Sequence, residues 1–253
     1  MNSYDFPVEL APIKANNIVI PKKVAVIRTD TNKPVGVVSN VYGLLKHKDV
    51  VDSFREALSN QKYEEKIELI KEGAHLFATY KLPEIQYEVK KGDFVAMQFV
   101  AKNSYDGTKS FSLMLGALRL VCLNGMVIGK EFFSYSQRHI SAGITFVDTG
   151  NLKDRITELV SHFKDSIPLM TKMTNTKINF SDESLFDDKK LQIPKYLLTS
   201  AKEIFEKRAD DSIWEYYNSL TYAITHDLKK DRPQTRIDYT KRAWVVASEL
   251  LNV

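Results

Sequence analysis

Hydrophobic positions recur along this chain with two different periods. Up to about residue 150 they fall in short β-branched or aromatic runs, whereas beyond it they recur three and four apart. The runs 23–29 (KVAVIRT) and 34–39 (PVGVVS), separated by the turn-forming DTNK, predict a hairpin. Residues 48–60 predict a helix with Val50, Val51, Phe54, Ala57 and Leu58 on one face. Residues 64–72 are charged and ambiguous. The runs 74–82 and 85–89 predict strands interrupted at Pro83. The run 94–102 (FVAMQFVAK) predicts a strong strand. Asp106-Gly107 joins it to 108–115, because a tight turn needs positive φ at its centre. Residues 119–126 fit either a strand or a short helix, and 131–133 and 144–147 read as sheet pieces. Pro7 and Pro12 make 1–17 an irregular lead-in.

In the second part, Leu152, Ile156, Leu159, Val160 and Phe163 form a helical stripe capped by Asn151 and stopped or kinked at Pro168. Residues 171–193 are polar and read as a connection. Pro194 opens a helix to about 208, and Ser212 with Glu215 forms a capping box for the next, to about 227. A last helix covers 238–251. The fold class is therefore α+β: a hairpin-rich antiparallel sheet with a packed helix over 1–150, then an all-helical part over 151–253.

The 253 residues are 43% hydrophobic and 27% charged, with a net charge of +4. The charge is spread over both parts, so it permits an anionic partner without demanding one. A single cysteine excludes an internal disulfide and a thiolate metal cluster. The five histidines show no metal-binding spacing, and no phosphate-loop or nucleophile-elbow motif occurs, so no cofactor is implied. The N-terminus lacks the pattern of a signal peptide. The apolar run 111–129 is interrupted by Arg119 and Asn124, which argues for a buried core segment and against a membrane span. The expected location is the cytoplasm.

Four features carry candidate chemistry. Arg119 lies among apolar neighbours, so it either holds an anion or pairs internally, for example with Asp106 or Asp93. Cys122, flanked by Val121 and Leu123, reads as a small core residue rather than a nucleophile served by His75 or His139. The loop 103–107 is either a self-contained turn or a platform that presents Tyr105, Lys102 and Lys109 to a ligand. Lys229, Lys230, Arg232, Arg236, Lys241 and Arg242 form the densest basic segment, and Tyr239 and Trp244 interleave with it. Such a mixture suits single-stranded nucleic acid. The competing expectation is a solvated segment with Trp244 in the core; Trp214, Tyr217 and Leu220 are likewise expected in the core.

The blocks VAVIRTDTNKPVGVVSNVYGLLKHKDVVDSF, GDFVAMQFVAKNSYDGTKSFSL with LRLVCLNGM, and SIWEYYNSLTYAITHD with RAWVVASELL resemble, in order, the phage/plasmid-like protein family, a domain family of unknown function. Tyr105 departs from the histidine expected there, and Leu123 and Gly125 from polar residues, so no histidine mechanism carries over to that loop. The resemblance implies a phage, prophage or plasmid setting in a bacterial cytoplasm. The leading expectation is a nucleic-acid-binding protein, in the manner of a single-strand annealing or recombination accessory factor, for which a homo-oligomer is open. Lys102, Lys109, Arg119 and the 229–242 cluster would then contact phosphates, with Tyr105 or Tyr239 stacking. The alternative is a non-enzymatic factor that binds a host or phage protein. An enzyme built on Asp106, Arg119 and Cys122 ranks last.

Overall fold

The computed structural model describes residues 3–121, 124–127, 134–139, 149–179, 182–208 and 210–251. Cys122 and the expected sheet pieces at 131–133 and 144–147 lie outside them. The described elements confirm an α+β chain, with antiparallel strands first and helices after.

Strands β1 (Val8–Ala15), β2 (Ile18–Arg28) and β3 (Lys33–Ser39) form an antiparallel sheet in the order β1-β2-β3. The hairpin of β2 and β3 follows the sequence expectation, but β1 does not. Pro12 is accommodated because β1 is an edge strand whose register shifts between Pro12 and Lys14, where a missing N–H breaks no ladder. Helix α1 (His47–Ala57) buries Val50, Val51 and Phe54 as its spacing predicts.

The ambiguous charged stretch forms strand β4 (Glu64–Ile70). It opens a second sheet with β5 (His75–Lys90), β6 (Asp93–Ser104), β7 (Phe111–Arg119), β8 (Asn124–Val127) and β9 (Ser134–Gln137), the last pairing with β7. Pro83 does not interrupt β5. The 7-residue β4 covers less than half of the 16-residue β5, so much of β5 is an edge on that side. Of the stretch 119–126, Arg119 ends β7 and 124–126 lie in the antiparallel β8, with Arg119 opposing Asn124.

Helix α2 (Thr149–Asn175) runs through Pro168. Its apolar stripe continues beyond the proline to the buried Met170 and Met173, and that burial outweighs the lost helical hydrogen bond. The polar stretch after it holds a 3-10 turn at Glu183–Phe186 and a short helix α3 (Asp188–Leu191). Helices α4 (Lys195–Lys207), α5 (Ile213–His226) and α6 (Pro233–Glu249) follow, with Pro194 as the cap of α4.

Close contacts divide the chain differently from a cut at residue 150. Unit 1 comprises 1–80, 99–114 and 134–158; unit 2 comprises 81–98, 115–133 and 159–253. In unit 1, Phe6, Val8, Val26, Val38, Tyr42 and Tyr105 form one buried cluster, and the rings of Phe54, Tyr80 and Phe99 pack in another. In unit 2, α5 is buried along nearly all of its length and packs on α4, α6 and β8.

Candidate functional site

The Asp106-Gly107 turn between β6 and β7 is held by its own side chains. Asp106 Oδ1 accepts from the Thr108 amide at 3.0 Å and from the Thr108 hydroxyl at 2.6 Å. Its Oδ2 accepts from His75 Nε2 at 2.7 Å and from Lys71 Nζ at 3.3 Å. Gly107 supplies the positive φ of 70° that the turn requires. Burial alone would raise the Asp106 pKa, but the bonds from Thr108 and the His75 ring together lower it to about 2. The carboxylate is therefore ionised and fully engaged.

His75, Asp106 and Thr108 are not arranged as a nucleophile–base–acid relay. The Thr108 hydroxyl, 3.1 Å away, meets the same ring nitrogen as the carboxylate, whereas a relay needs one partner on each nitrogen. The trio is a brace for the hairpin.

A second brace lies behind it. His47 Nε2 donates to the Gly73 carbonyl at 2.9 Å, and its Nδ1 accepts from Asn103 Nδ2 at 2.9 Å. The carbonyl can only accept, which fixes the proton on Nε2. Burial lowers the His47 pKa to about 3, so the ring is neutral. It stacks on Tyr105 at 3.9 Å between centroids, and the Tyr105 hydroxyl accepts from the His47 amide at 2.7 Å. These contacts pin a left-handed turn in which Lys71, Glu72 and Gly73 have φ of 53°, 57° and 93°. Such backbone persists only where its surroundings over-determine it.

Beside the braced hairpin is a cleft of ≈ 380 Å³. Lys23 of β2, Lys109 of the hairpin and Arg138 after β9 line it, with Ser39, Thr108 and Ser110 supplying hydroxyls. All three cations are exposed. Asp106 also lines the cleft, but its oxygens are taken by Thr108, His75 and Lys71. Among the described residues no acid pairs with Lys23, Lys109 or Arg138. Tyr42 and His139 close one wall as a buried stacked pair, 5.0 Å between centroids. The cleft is thus cationic and rich in hydroxyls, the chemistry that holds phosphate.

Of the residues expected to contact nucleic acid, only Lys109 lines this cleft. Lys102 is half-buried on β6. The stacking role expected of Tyr105 is corrected: its side chain is 0% exposed and its hydroxyl is occupied, so no base can reach it. Arg119 is corrected as well. At 8% exposure it lies inside unit 2, its Nε and Nη2 donating to Asp93 at 2.9 and 2.6 Å and Nη2 also to Glu215 at 3.2 Å. Arg208 pairs with the same Glu215, and Trp214 Nε1 donates to Asp93 at 2.9 Å. The expected internal pairing with Asp93 is therefore the right one, and Asp106 is not involved. Next to it, Asn124 Nδ2 donates to Thr221 Oγ1 at 2.6 Å. The arginine of LRLVCLNGM thus meets Glu215 of α5 and shares Asp93 with Trp214, and the asparagine meets Thr221, in buried polar contacts that hold unit 2 together.

The C-terminal cluster, also in unit 2, is dispersed. Lys229, Lys230 and Arg232 are exposed in the turn before α6, and Arg236 Nη2 donates back to the Lys230 carbonyl at 3.3 Å. The Arg242 guanidinium lies over the half-buried Tyr239 ring at 5.6 Å and donates to the Gln192 carbonyl. Burial lowers the pKa of Lys241 despite the nearby Asp238. Lys241 and Arg242 line a shallow cleft of ≈ 310 Å³ with Lys190. Trp244, Trp214, Tyr217 and Leu220 are core residues, as expected.

Sequence reasoning missed Lys23 and Arg138. The pair Lys22-Lys23 after Pro21 was the one local signal; nothing near Arg138 announces that β9 returns it to the hairpin.

Among the described residues no group of acids, histidines or cysteines is arranged to hold a metal ion, and no helix is long and apolar enough to cross a membrane. No curated protein and no solved structure matches the chain. A family model does, over residues 34–248, which take in both the braced hairpin and the buried arginine: the chain belongs to the family described as Domain of unknown function (DUF932).

Proposed function

We propose that this protein binds nucleic acid through the phosphate backbone, as a phage or mobile-element factor of single-strand annealing or recombination. The observation that supports the reading is the cleft where Lys23, Lys109 and Arg138, from three separate elements, converge beside a braced hairpin. Converging cations without acidic partners leave a positive site that an anion completes. Hydroxyls of Ser39 and Ser110 add neutral donors suited to phosphate oxygens. The aromatic rings at the cleft, Tyr42 and His139, are buried against each other, so the contact is to backbone rather than to stacked bases. The mobile-element setting is supported by the resemblance of the three ordered sequence blocks.

The test is fluorescence anisotropy with a labelled oligonucleotide, single-stranded and then annealed, titrated at several salt concentrations. Binding through Z phosphates lowers log K with log salt at a slope of about −0.7Z for single strands and about −0.9Z for duplex. A negative slope of two or more is expected. Absence of binding at low salt overturns the reading in favour of a protein-interaction factor, which a pull-down from host lysate would then identify.

A further inference from the structure

The hairpin of β1 and β2 extends beyond its sheet. β3 pairs with β2 from Arg28 to Lys23 and adds one bond from the Asn40 amide to the Lys22 carbonyl, whereas β1 stays paired as far as Ile18. The stretch beyond is a two-stranded ribbon closed by Asn16 and Asn17, whose φ of 47° and 64° make the tight turn suited to twisted strands. All ten residues from 14 to 23 (KANNIVIPKK) are exposed. At the tip Ile18, Val19 and Ile20 are 72%, 51% and 39% exposed. Lys14, Lys22 and Lys23 flank them, and the ribbon carries no acid.

We infer that this ribbon is an arm that grips duplex DNA, its lysines on the phosphates and Ile18, Val19 and Ile20 pressed against the base pairs. The inference rests on the nucleic-acid reading above and extends it from a strand to the duplex that annealing produces. A bare two-stranded ribbon is marginal in water, and an apolar tip on it invites aggregation, so the exposed trio points to a partner. Three lysines without an acid fit a polyanion and oppose the approach of a second copy. The arm and the cleft share Lys23, which makes one continuous cationic track. A two-stranded ribbon can enter a DNA groove, and apolar side chains such as isoleucine that wedge in from the minor groove and unstack base steps are a known mode of duplex binding. The tip lacks the tryptophan or tyrosine that anchors proteins at a lipid interface.

The experiment uses the full chain and a duplex of about 30 base pairs, the length of an ordinary bent site, carrying 2-aminopurine at central positions. Wild-type protein is expected to raise the probe's fluorescence severalfold. The triple variant Ile18→Ser, Val19→Ser, Ile20→Ser leaves it at the free-duplex level and weakens duplex affinity about tenfold, or ~1.4 kcal/mol. Single-strand affinity and its salt slope stay unchanged in that variant. In Val19→Trp the new indole is quenched on duplex addition, a response that loss of folding would not produce. If the triple variant and wild type act alike on the duplex, or the indole is not quenched, the arm is wrong while the cleft reading stands. If wild type binds neither strand nor duplex, both fall. If the trio is needed for sedimentation with vesicles of phosphatidylglycerol and phosphatidylcholine, or for self-association, but not for the duplex, the arm is overturned.

Discussion

Arg119 and Asp93 face each other as a fork, with Nε and Nη2 of the guanidinium 2.9 and 2.6 Å from the carboxylate, and both side chains are buried. Glu215 takes the other side of Nη2 at 3.2 Å. Removing the guanidinium leaves the buried Asp93 with the Trp214 N–H but no cation and leaves Glu215 to Arg208 alone, and breaking a buried ion pair in this way costs ~3–5 kcal/mol. Arg119→Ala is therefore expected to lower the urea midpoint sharply with little change in m-value, while Arg119→Lys, which cannot make the fork, recovers only part of the loss. At temperatures where the variant is still folded, its oligonucleotide affinity equals that of wild type. A selective loss of binding would return Arg119 to the candidate anion ligands.

His47 makes acid sensitivity readable. Its folded pKa is depressed to about 3 by burial, against about 6.5 in an unfolded chain. Below pH ~6.5 the unfolded chain takes up a proton that the buried ring refuses, so stability falls with pH down to about 3, by at most ~1.4 kcal/mol per unit. Burial depresses His139 too, which adds to the same trend. Asp106 adds a later loss: the stability from its lowered pKa is fully present above ~4 and disappears as pH falls through about 2. Urea unfolding from pH 7 to 3 should show the slope in wild type and a shallower one in His47→Phe, which keeps the ring stack on Tyr105 but cannot titrate. Equal slopes would remove His47 as its source.

The hairpin is also fixed from the side of β3. A Cβ on Gly36 would sit 2.3 Å from the Tyr105 carbonyl oxygen and 2.6 Å from Asp106 Cα, both backbone atoms that no rotamer change can move. Gly36→Ala is expected to cost ~1–3 kcal/mol or more, as overpacking does. It should also speed amide exchange at Thr108, because the turn must shift to admit the methyl. An unchanged exchange rate would mean that the strain is absorbed in β3 instead.

The Asp106-Gly107 hairpin, the Pro194 and Ser212 helix starts and the burial of Trp214 and Trp244 were legible because each rests on residues a few positions apart. Strand β1 was not, because Pro7 and Pro12 signal a break unless the strand is known to lie at an edge. Glu215 read as the second half of a capping box. The Ser212 hydroxyl does cap its amide at 3.2 Å, but the carboxylate turns instead to Arg119, 96 residues away in the chain. The candidate site was hidden for the same reason. Lys23, Lys109 and Arg138 are brought together by β2, the hairpin and β9, and a chemistry assembled from distant segments leaves no local motif. Tyr105 misled in the opposite way: a tyrosine in a polar turn suggests a presented ring, but its stacking on His47 turns it inward.

The cleft makes a quantitative claim about salt. If Lys109 and Arg138 each neutralise one phosphate of a single strand, replacing either by glutamine removes one released counterion and flattens the slope of log K against log salt by about 0.7. The double variant should flatten it by about 1.4, because each contact contributes its own counterion. The affinity loss should be large at low salt and shrink as salt rises, and it should be similar for every oligonucleotide sequence. Both side chains are exposed, so unfolding free energy should stay within about 0.5 kcal/mol of wild type, which separates lost contact from lost fold. The matched control is Lys229→Gln with Lys230→Gln, which removes the same charge from the turn before α6 in unit 2. If the control flattens the slope as much as the cleft pair does, binding follows overall charge and the cleft has no special part. If only the cleft pair does, the three cations at the braced hairpin are where the phosphate backbone is held.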